Sequence, residues 1–560
     1  MSRIKNIYGI IIFSILFSIF IINILSVFVP ATGKIGTCLW FFSYIFFIIC
    51  ALISLYNLIK EALTEKLCIT LVVLLIWLFI IGANINRIKN VSGESTQQIA
   101  HTISLLHHSR DMAFNERCFL GYPARQFFLP SLPTLIMGRS VLSVNLGGSL
   151  YVLTGLLIFS RAISRNFENR RYGDLAGGII LSLIFHIYYV NFQIFWFEQS
   201  VYPFGFTLII CGLYLYYIKD QSLTNLSLAG LAVLYLIYSY TPSLSMACLS
   251  VTVLIYYYIK NFKHQDKKRH ITMAMIIIFC IISFFLSFKY RSDVHLTCKN
   301  PDQPTNEATN KIHLRDEVNN TVGKIKELFS INTGLLVSPV SFFIFSMILI
   351  CSIFLVFRWT MFFLILWITG TVIISVSSSG FAVPPPCFAI HRAIIIYPVM
   401  FIMFIDIIKS INIDFKRKYY GGIIILLFLL TTGIIYQQSY MKTKTIATGR
   451  VQQYILIRWL KKEIPVEDND KIKIFYFDEA LKEDPYISIY DMMVYFTPKY
   501  NISFPDSKID LSNQLISSEN NFLLVPPDKL KNKCYNNIKN RLKYINSFCG
   551  VQAINLYKIE

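Results

Sequence analysis

Two carboxylates and one guanidinium lie beside long apolar runs, where ionisable side chains are uncommon. Glu94 opens the polar stretch GESTQQIAHTISLLHHSR, Glu198 lies between two apolar runs in WFEQSVYPFG, and Arg392 precedes an apolar run in HRAIIIYP. A carboxylate can accept a proton from a hydroxyl group, and a guanidinium offers a planar set of donors to an anion such as phosphate. Together these groups suggest a site for an anionic lipid head group.

Further polar side chains could complete such a site. Lys289 and Arg291 add positive charge at the end of another apolar run. Candidate substrate-binding groups are His101, Tyr122, Arg125 and His391. Three of these groups also have a structural interpretation: Glu198 as a solvated turn residue or a helix N-terminal charge, Arg392 as a cation reaching the interface, and His101 as a polar residue of an interfacial helix.

The sequence contains no motif that identifies a cofactor. A P-loop, GxSxG, HExxH, CxxC and Cys/His metal spacing are all absent, so nothing indicates ATP use or a zinc site. Glu94 and Glu198 could hold Mg²⁺ or Mn²⁺, although their spacing is not distinctive of a metal site. A divalent metal therefore stays open, and no other cofactor is predicted.

The composition is that of a polytopic membrane protein. The chain has 560 residues, 55% hydrophobic and only 15% charged, with a mean hydropathy of +0.54. Apolar runs of about 18 to 23 residues can cross a hydrocarbon core as helices, whereas a membrane β-barrel would show short alternating segments. The formal charge of +20 comes from Lys and Arg in short segments between these runs, which favours topology signals over a nucleic-acid-binding surface.

We predict about thirteen transmembrane helices. Their approximate ranges are 7–29, 37–59, 67–84, 141–161, 174–195, 200–218, 224–240, 242–259, 270–288, 337–357, 359–377, 389–408 and 419–436. The first run is too long for a signal peptide and lacks a cleavage site, so we expect a retained helix. A cytoplasmic N-terminus places the short basic segments KEALTEK, RAISRNFENRRYGD, KNFKHQDKKRH and KSINIDFKRKYY inside, in agreement with the positive-inside rule.

This topology divides the chain into two domains. A helical membrane domain covers residues 1–436 and includes larger outer loops at 85–140 and 289–336. In residues 437–560, the helix-like VQQYILIRWLKKEI and NNIKNRLKYI and the strand-like KIKIFYFD and AINLYKI predict a small outer α/β domain. Cys534 and Cys549 in this domain could form a disulfide if the outer compartment is oxidising.

The first outer loop is predicted to lie along the membrane surface. Ile99 and Ile103 recur at helical spacing with polar residues on the other faces, which is typical of an interfacial helix. The following CFLGYPARQFFLPSLPTLIMG is too interrupted by proline for an ordinary transmembrane helix. Glu94, Glu198 and Arg392 would share the outer side, and we expect them to converge around one cavity within about 10 to 12 Å.

In this order the motifs resemble those of the GT-C membrane glycosyltransferases, which include protein O-mannosyltransferases, the aminoarabinose transferase of lipid A and periplasmic O-antigen glucosyltransferases. The similarity covers roughly residues 67–410 and is carried by GESTQQIAHTISLLHH, GYPARQFFLPSLPTLIMGRSV, NLGGSLYVLTGLLIFSRAI, FWFEQSVYPFGFTLI, LSLAGLAVLYLIYS and HRAIIIYP. The chain departs from the family pattern in having two spans before this region, Glu94 where Asp is common, and Ala124 in place of the second Pro of a pair.

The resemblance implies a GT-C-like helical fold and inverting transfer of a sugar from a polyprenyl-phosphate donor, on the periplasmic side of a bacterial inner membrane. The expected acceptor is a lipid-linked glycan such as O-antigen or another cell-envelope molecule. By motif position, Glu94 would be the base and Arg392 would bind the donor phosphate with help from Lys289 or Arg291. Glu198 would orient the acceptor or the base, or help to hold a cation. Membrane lipids are expected partners, and nucleic acid is not.

Two alternatives stay open. An O-antigen polymerase or ligase also joins lipid-linked glycans, but typically relies on arginines of outer loops. A polysaccharide or lipid transporter or flippase should carry charges at the membrane midplane, broken helices and paired repeats, whereas the ionisable residues singled out here lie towards one interface.

Overall fold

A bundle of apolar helices precedes a small domain with a mixed sheet in the computed structural model. The structure describes residues 2–28, 33–85, 128–187, 201–238, 243–260, 267–297, 398–399, 401–402, 405, 409, 415–446, 450–464, 472–476, 500–503, 520–525, 527, 533–549 and 553–560.

The helices of the bundle follow the predicted apolar runs closely at most positions. They are α1 (Ser2–Phe28), α2 (Gly33–Glu65), α3 (Ile69–Ile85), α4 (Phe128–Met137), α5 (Val141–Asn166), α6 (Arg170–Ile184), α7 (Val201–Lys219), α8 (Leu223–Ile237), α9 (Ser243–Lys260), α10 (Lys267–Thr297) and α11 (Phe415–Ile446). Stretches of α2, α5, α10 and α11 are each long and apolar enough to cross a membrane. The chain is a multi-pass membrane protein, and the expected spans at 337–357 and 359–377 lie outside the described residues.

Contacts between helices define two sides of the bundle. On the N-terminal side, Ser227 at the start of α8 donates a hydrogen bond to the carbonyl of Gly9 in α1 (3.3 Å). On the other side, called the distal side here, Trp40 near the start of α2 stacks on Tyr235 near the end of α8, with 4.0 Å between ring centroids. Ile69 at the start of α3 contacts Asp174 near the start of α6. Helix α3 therefore starts on the N-terminal side and ends on the distal side.

Helix α5 lies at the centre of the bundle. It packs against α2, α3, α4, α6 and α7. Within its apolar stretch Asn145–Asn166, 78% of the residues are buried, against 22% for Tyr419–Ser439 of α11. Large apolar side chains are instead exposed on outer helices, as with Phe79 of α3 and Ile424 of α11, where lipid would cover them.

Helix α6 is shorter than the predicted span at 174–195. Asn169 caps its start by accepting hydrogen bonds from the backbone N–H groups of Arg171 and Tyr172. After Ile184, the N–H groups of residues 185–187 bond to carbonyls three residues earlier, which tightens the last turn. The prediction of one helix continuing to about residue 195 is therefore wrong.

The C-terminal domain contains a five-stranded mixed sheet. Its strands are β1 (Ile472–Tyr476), β2 (Tyr500–Ser503), β3 (Asn520–Val525), β4 (Leu542–Cys549) and β5 (Ala553–Ile559), in the order β2-β1-β3-β5-β4. Strands β2, β1 and β3 are parallel, and β5 is antiparallel to both β3 and β4. Helix α12 (Arg450–Glu463), β1 and β5 agree with the predicted elements. The helix predicted over NNIKNRLKYI is a 3₁₀ helix (Lys533–Arg541) in its first part, and its last residues belong to β4.

Candidate functional site

Most of the residues singled out from the sequence lie outside the described part of the chain. These residues are Glu94, His101, Tyr122, Arg125, Glu198, His391 and Arg392. For Lys289, Arg291, Cys534 and Cys549, only the backbone lies within it. Their predicted convergence and the predicted disulfide therefore stay predictions. The structure does describe the helices that precede or follow these residues in the chain.

The segment that carries Glu94 follows α3, which is fixed at its start by α6. The carboxylate of Asp174 accepts hydrogen bonds from the backbone N–H groups of Ile69 and Thr70, both at 2.9 Å. These two donors belong to the first turn of α3 and have no partner within their own helix. The Thr70 hydroxyl donates to the Asp174 carbonyl at 2.7 Å. Helix α3 is thus held against α6, and its end on the distal side leads towards Glu94.

The segment that carries Glu198 precedes α7, which packs closely on α5. A Cβ atom added at Gly155 of α5 would lie 2.6 Å from the carbonyl oxygen of Gly205 in α7. One added at Gly205 would lie 2.7 Å from the carbonyl oxygen of Tyr151. Both distances are too short for a real side chain, so glycine at these positions allows the two helices to approach. Small residues serve the same purpose in other membrane helix pairs.

A cluster of buried aromatic side chains also packs around the start of α7. Its members are Trp40, Tyr44 and Phe47 of α2, Tyr151 of α5, Tyr202 and Phe206 of α7, and Tyr235 and Tyr238 of α8. Tyr202 packs edge-on against Tyr151 at 4.8 Å and donates a hydrogen bond to the Tyr235 carbonyl at 3.4 Å. Because Tyr202 is only four residues after Glu198 in the sequence, this cluster fixes the start of the helix that follows Glu198.

Helix α4, near the end of the loop predicted at 85–140, leads into α5 by a tight turn. Gly138 has a φ of 82°, a left-handed conformation that favours glycine after a helix end. Ser140 then caps α5 by accepting from the backbone N–H of Ser143 at 3.1 Å, and Ser143 reciprocates at the Ser140 N–H. Pro133 lies inside this short helix, and Ile136 near its end is 80% exposed. The described part of the proline-interrupted segment, residues 128–137, is therefore a helix too short to cross a membrane.

Arg392 precedes a segment that packs on α5. The described residues between Pro398 and Lys409 are helical, and Phe401 lies 6.2 Å from Phe159 between ring centroids. Lys409 donates a hydrogen bond to the Asn166 side chain at the N-terminal side. The order of these contacts shows that this segment runs parallel to α5, from the distal side to the N-terminal side. The chain therefore enters it from the distal side, where α3 ends and α7 begins.

The same side receives the end of α10. Phe279 stacks on Phe20 of α1 at 4.2 Å between centroids. Lys289 lies ten residues further along α10, about 15 Å by helical rise, beyond the apolar stretch that ends at Leu286. The backbone thus carries Lys289 and Arg291 towards the distal side.

One buried polar side chain on the distal half of α5 was not singled out from the sequence. Asn145 is 0% exposed, and among the described residues neither its Nδ2 nor its Oδ1 atom has a hydrogen-bond partner. The sequence does indicate this residue, because Asn145 is an amide inside an apolar run, where polar residues are often functional.

Charged pairs lie on the N-terminal side, within segments that the sequence placed in inner loops. Arg161 of α5 forms a two-pronged ion pair with Glu61 of α2, and Arg170 pairs with Glu65. The Arg161 side chain is only 8% exposed, whereas Arg170 is 63% exposed. These pairs link helix ends and stand apart from the distal side.

The described residues form a scaffold and not a complete active site. Within them, no three His, Cys, Asp or Glu residues are placed to hold a metal ion. This scaffold consists of α5 and four elements that pack on it, namely α3, α4, α7 and the 398–409 segment. In the sequence, each of these four elements adjoins a segment that carries a predicted site residue. Such an arrangement can bring groups from distant parts of the sequence to one side of a membrane.

Comparison with known proteins identifies the fold. No protein-family model and no curated protein sequence matches the chain. The structure of ArnT from Cupriavidus metallidurans bound to undecaprenyl phosphate aligns with a TM-score of 0.50 and 10% identity, over 89% of this chain and 98% of that one. The same protein in the apo state aligns with a TM-score of 0.49 and 11% identity over the same shares. The chain therefore has an ArnT-like membrane fold, and the resemblance to GT-C proteins predicted from its motifs is confirmed at the level of the fold.

Proposed function

We propose that this protein is an inverting glycosyltransferase that moves a sugar from a polyprenyl-phosphate donor to a lipid-linked glycan such as O-antigen, or to another cell-envelope acceptor. The observation that carries the proposal is the ArnT-like fold over 89% of the chain, since the matching ArnT structure has undecaprenyl phosphate bound. The order of the acidic and basic motifs supports it independently.

The proposed reaction places the site on the distal side, which would face the periplasm of a bacterial inner membrane. Glu94 would take the proton of the acceptor hydroxyl as that oxygen attacks the sugar. The bond between the sugar and the phosphate breaks in the same step, and negative charge develops on the departing polyprenyl phosphate. Arg392, helped by Lys289 or Arg291, would stabilise that charge. A single displacement inverts the sugar and needs no covalent intermediate on the enzyme.

Glu198 has three possible roles in this scheme: it could orient the acceptor, orient the base, or help Glu94 to hold Mg²⁺ or Mn²⁺. Carboxylate oxygens suit these cations. Transfer measured after chelation with EDTA, and again after adding back each metal, distinguishes a metal-binding role from the other two.

The direct test is sugar transfer in proteoliposomes that contain the purified protein, radiolabelled undecaprenyl-phosphate sugars and a lipid-linked glycan. We expect transfer by the wild type, and a loss of about 10² to 10⁴ in rate for Glu94→Gln and a clear loss for Glu198→Gln. Glu168→Gln is a matched control, because Glu168 is exposed in the turn between α5 and α6 on the N-terminal side.

Three results would contradict the proposal. Full transfer by both Glu94→Gln and Glu198→Gln, inserted normally, would show that these carboxylates are not the catalytic pair. Movement of the lipid between leaflets without any sugar transfer would favour the transporter or flippase. Joining of whole glycan units, instead of single sugars, would favour the polymerase or ligase.

A further inference from the structure

The side-chain amide of Asn145 stands out among the buried polar groups of the helices. It is fully enclosed, and no described residue is bonded to either of its polar atoms. An asparagine amide can donate two hydrogen bonds and accept two. Leaving all of them unmade in a buried position is costly, so such a group calls for an explanation.

Other asparagines in the helices show what a purely structural amide does. Asn84 of α3 donates to the carbonyl of Ile80, and Asn57 of α2 donates to the carbonyl of Ile53, both at 2.8 Å. These bonds to the preceding turn satisfy the amide within its own helix. Asn145 makes no such bond in the structure, although it also lies inside a helix.

The position of Asn145 in α5 also bears on its role. Asn145, Val152, Phe159 and Asn166 recur every seven residues and therefore lie along one face of α5. Phe159 and Asn166 on this face contact Phe401 and Lys409. Asn145 is the member of this row nearest the distal side, about 21 Å of helical rise from Phe159. Asn145 therefore lies on the face of α5 that contacts the 398–409 segment, towards the end of α5 at which that segment begins.

We propose that Asn145 binds hydroxyl groups of the sugar on the polyprenyl-phosphate donor and thereby contributes to the choice of sugar. This inference rests on the proposed function. A hydroxyl both donates and accepts, so a sugar can pair with the Nδ2 and Oδ1 atoms together. A phosphate only accepts in its ionised form and would leave Oδ1 unpaired. The amide thus suits the sugar, while the guanidinium of Arg392 suits the phosphate.

The test compares binding of two lipids to the detergent-purified full chain: undecaprenyl phosphate, and undecaprenyl phosphate carrying glucose, galactose or mannose. The wild type should bind at least one sugar-bearing lipid more tightly than undecaprenyl phosphate. Asn145→Leu should weaken binding of that lipid about tenfold or more, while binding of undecaprenyl phosphate stays unchanged. Its thermal stability should equal or exceed that of the wild type, because an unpaired buried amide is removed.

A second variant and a control make the result specific. Asn145→Ala should show the same selective loss even if it is less stable. Asn166→Leu changes the same residue type at the other end of the same face and should leave both affinities unchanged. Equal weakening of both lipids by Asn145→Leu and Asn145→Ala, or no change with either, would overturn the inference. Failure of the wild type to bind any of these lipids would instead contradict the proposed function itself, and this inference with it.

Discussion

Asp174 and Thr70, 104 residues apart in the sequence, bind each other through both side chain and backbone. The Asp174 carboxylate accepts from the Thr70 N–H at 2.9 Å, and the Thr70 hydroxyl donates to the Asp174 carbonyl at 2.7 Å. A residue of α6 thereby caps α3, the helix that leads to the Glu94 segment. A negative charge at a helix start is also favoured by the helix dipole.

Asp174→Ala should lower the stability of the bundle by about 1 to 3 kcal/mol, because the buried N–H of Thr70 and the partly buried N–H of Ile69 lose their acceptor. The measurement is the midpoint temperature at which the detergent-purified protein loses its monodisperse form. Glu168→Ala, in the exposed turn between α5 and α6, should leave that temperature unchanged. An equal midpoint for Asp174→Ala and the wild type would contradict the capping role.

Glu61→Leu should destabilise the protein strongly, by about 3 to 5 kcal/mol, because it leaves the buried Arg161 charge without its partner, and Arg161→Leu should cost less, because Glu61 is only partly buried. The double variant should regain much of this loss, since no charge then stays buried. Thermal unfolding of all four proteins forms a double-mutant cycle. Strictly additive losses would mean that the two side chains do not interact. Glu65→Leu, at the more exposed pair with Arg170, should have little effect.

Gly155→Ala should separate α5 from α7 and reduce both stability and sugar transfer. The added methyl would lie 2.6 Å from the Gly205 carbonyl, and overpacking of this kind typically costs about 1 to 3 kcal/mol. Gly82→Ala in α3 is the matched control, because no atom lies within 4 Å of its added methyl. If both variants behave alike in thermal unfolding and transfer, the close approach of the two helices does not matter for either property.

Arg392→Lys should weaken binding of undecaprenyl phosphate even though the positive charge is kept, because lysine lacks the planar donor fork. We expect a loss of about tenfold, and a larger one for Arg392→Gln. Arg171→Gln changes an exposed arginine at the N-terminal side and serves as the control in the same binding assay. Unchanged affinity for both Arg392 variants would remove Arg392 from the proposed phosphate site.

Cys534 and Cys549 should resist alkylation in the folded protein until a reductant is added, if they form the predicted disulfide. Cys68 is an exposed free thiol in the turn before α3 and should be alkylated without reductant. Mass spectrometry of the alkylated peptides distinguishes the two states. Because the pair closes a loop of about 15 residues, Cys534→Ser should cost about 3 kcal/mol. Alkylation of both cysteines without reductant would exclude the disulfide.

Much of the membrane fold follows from local sequence. A membrane-spanning helix must be apolar over its whole length, so α1, α2, α3 and α8 could be located to within several residues from apolar runs and their basic flanks. The end of α6 at Ile184 could not, because the apolar run continues past the point where the last turn tightens. The residues after Arg541 were similarly assigned to a helix, whereas pairing with β5 makes them a strand.

The sequence by itself determined that this is a polytopic membrane protein, and it indicated the family resemblance and the acidic and basic residues worth testing. Only the tertiary structure decided which helices meet. The pairs Asp174–Thr70, Arg161–Glu61 and Gly155–Gly205 join residues that are 50 or more positions apart. Hydropathy indicates how strongly each segment prefers lipid to water. It does not indicate which neighbouring helix packs against the polar or glycine-lined face of that segment. That choice depends on side-chain fit across helices, which exists only once the bundle has assembled.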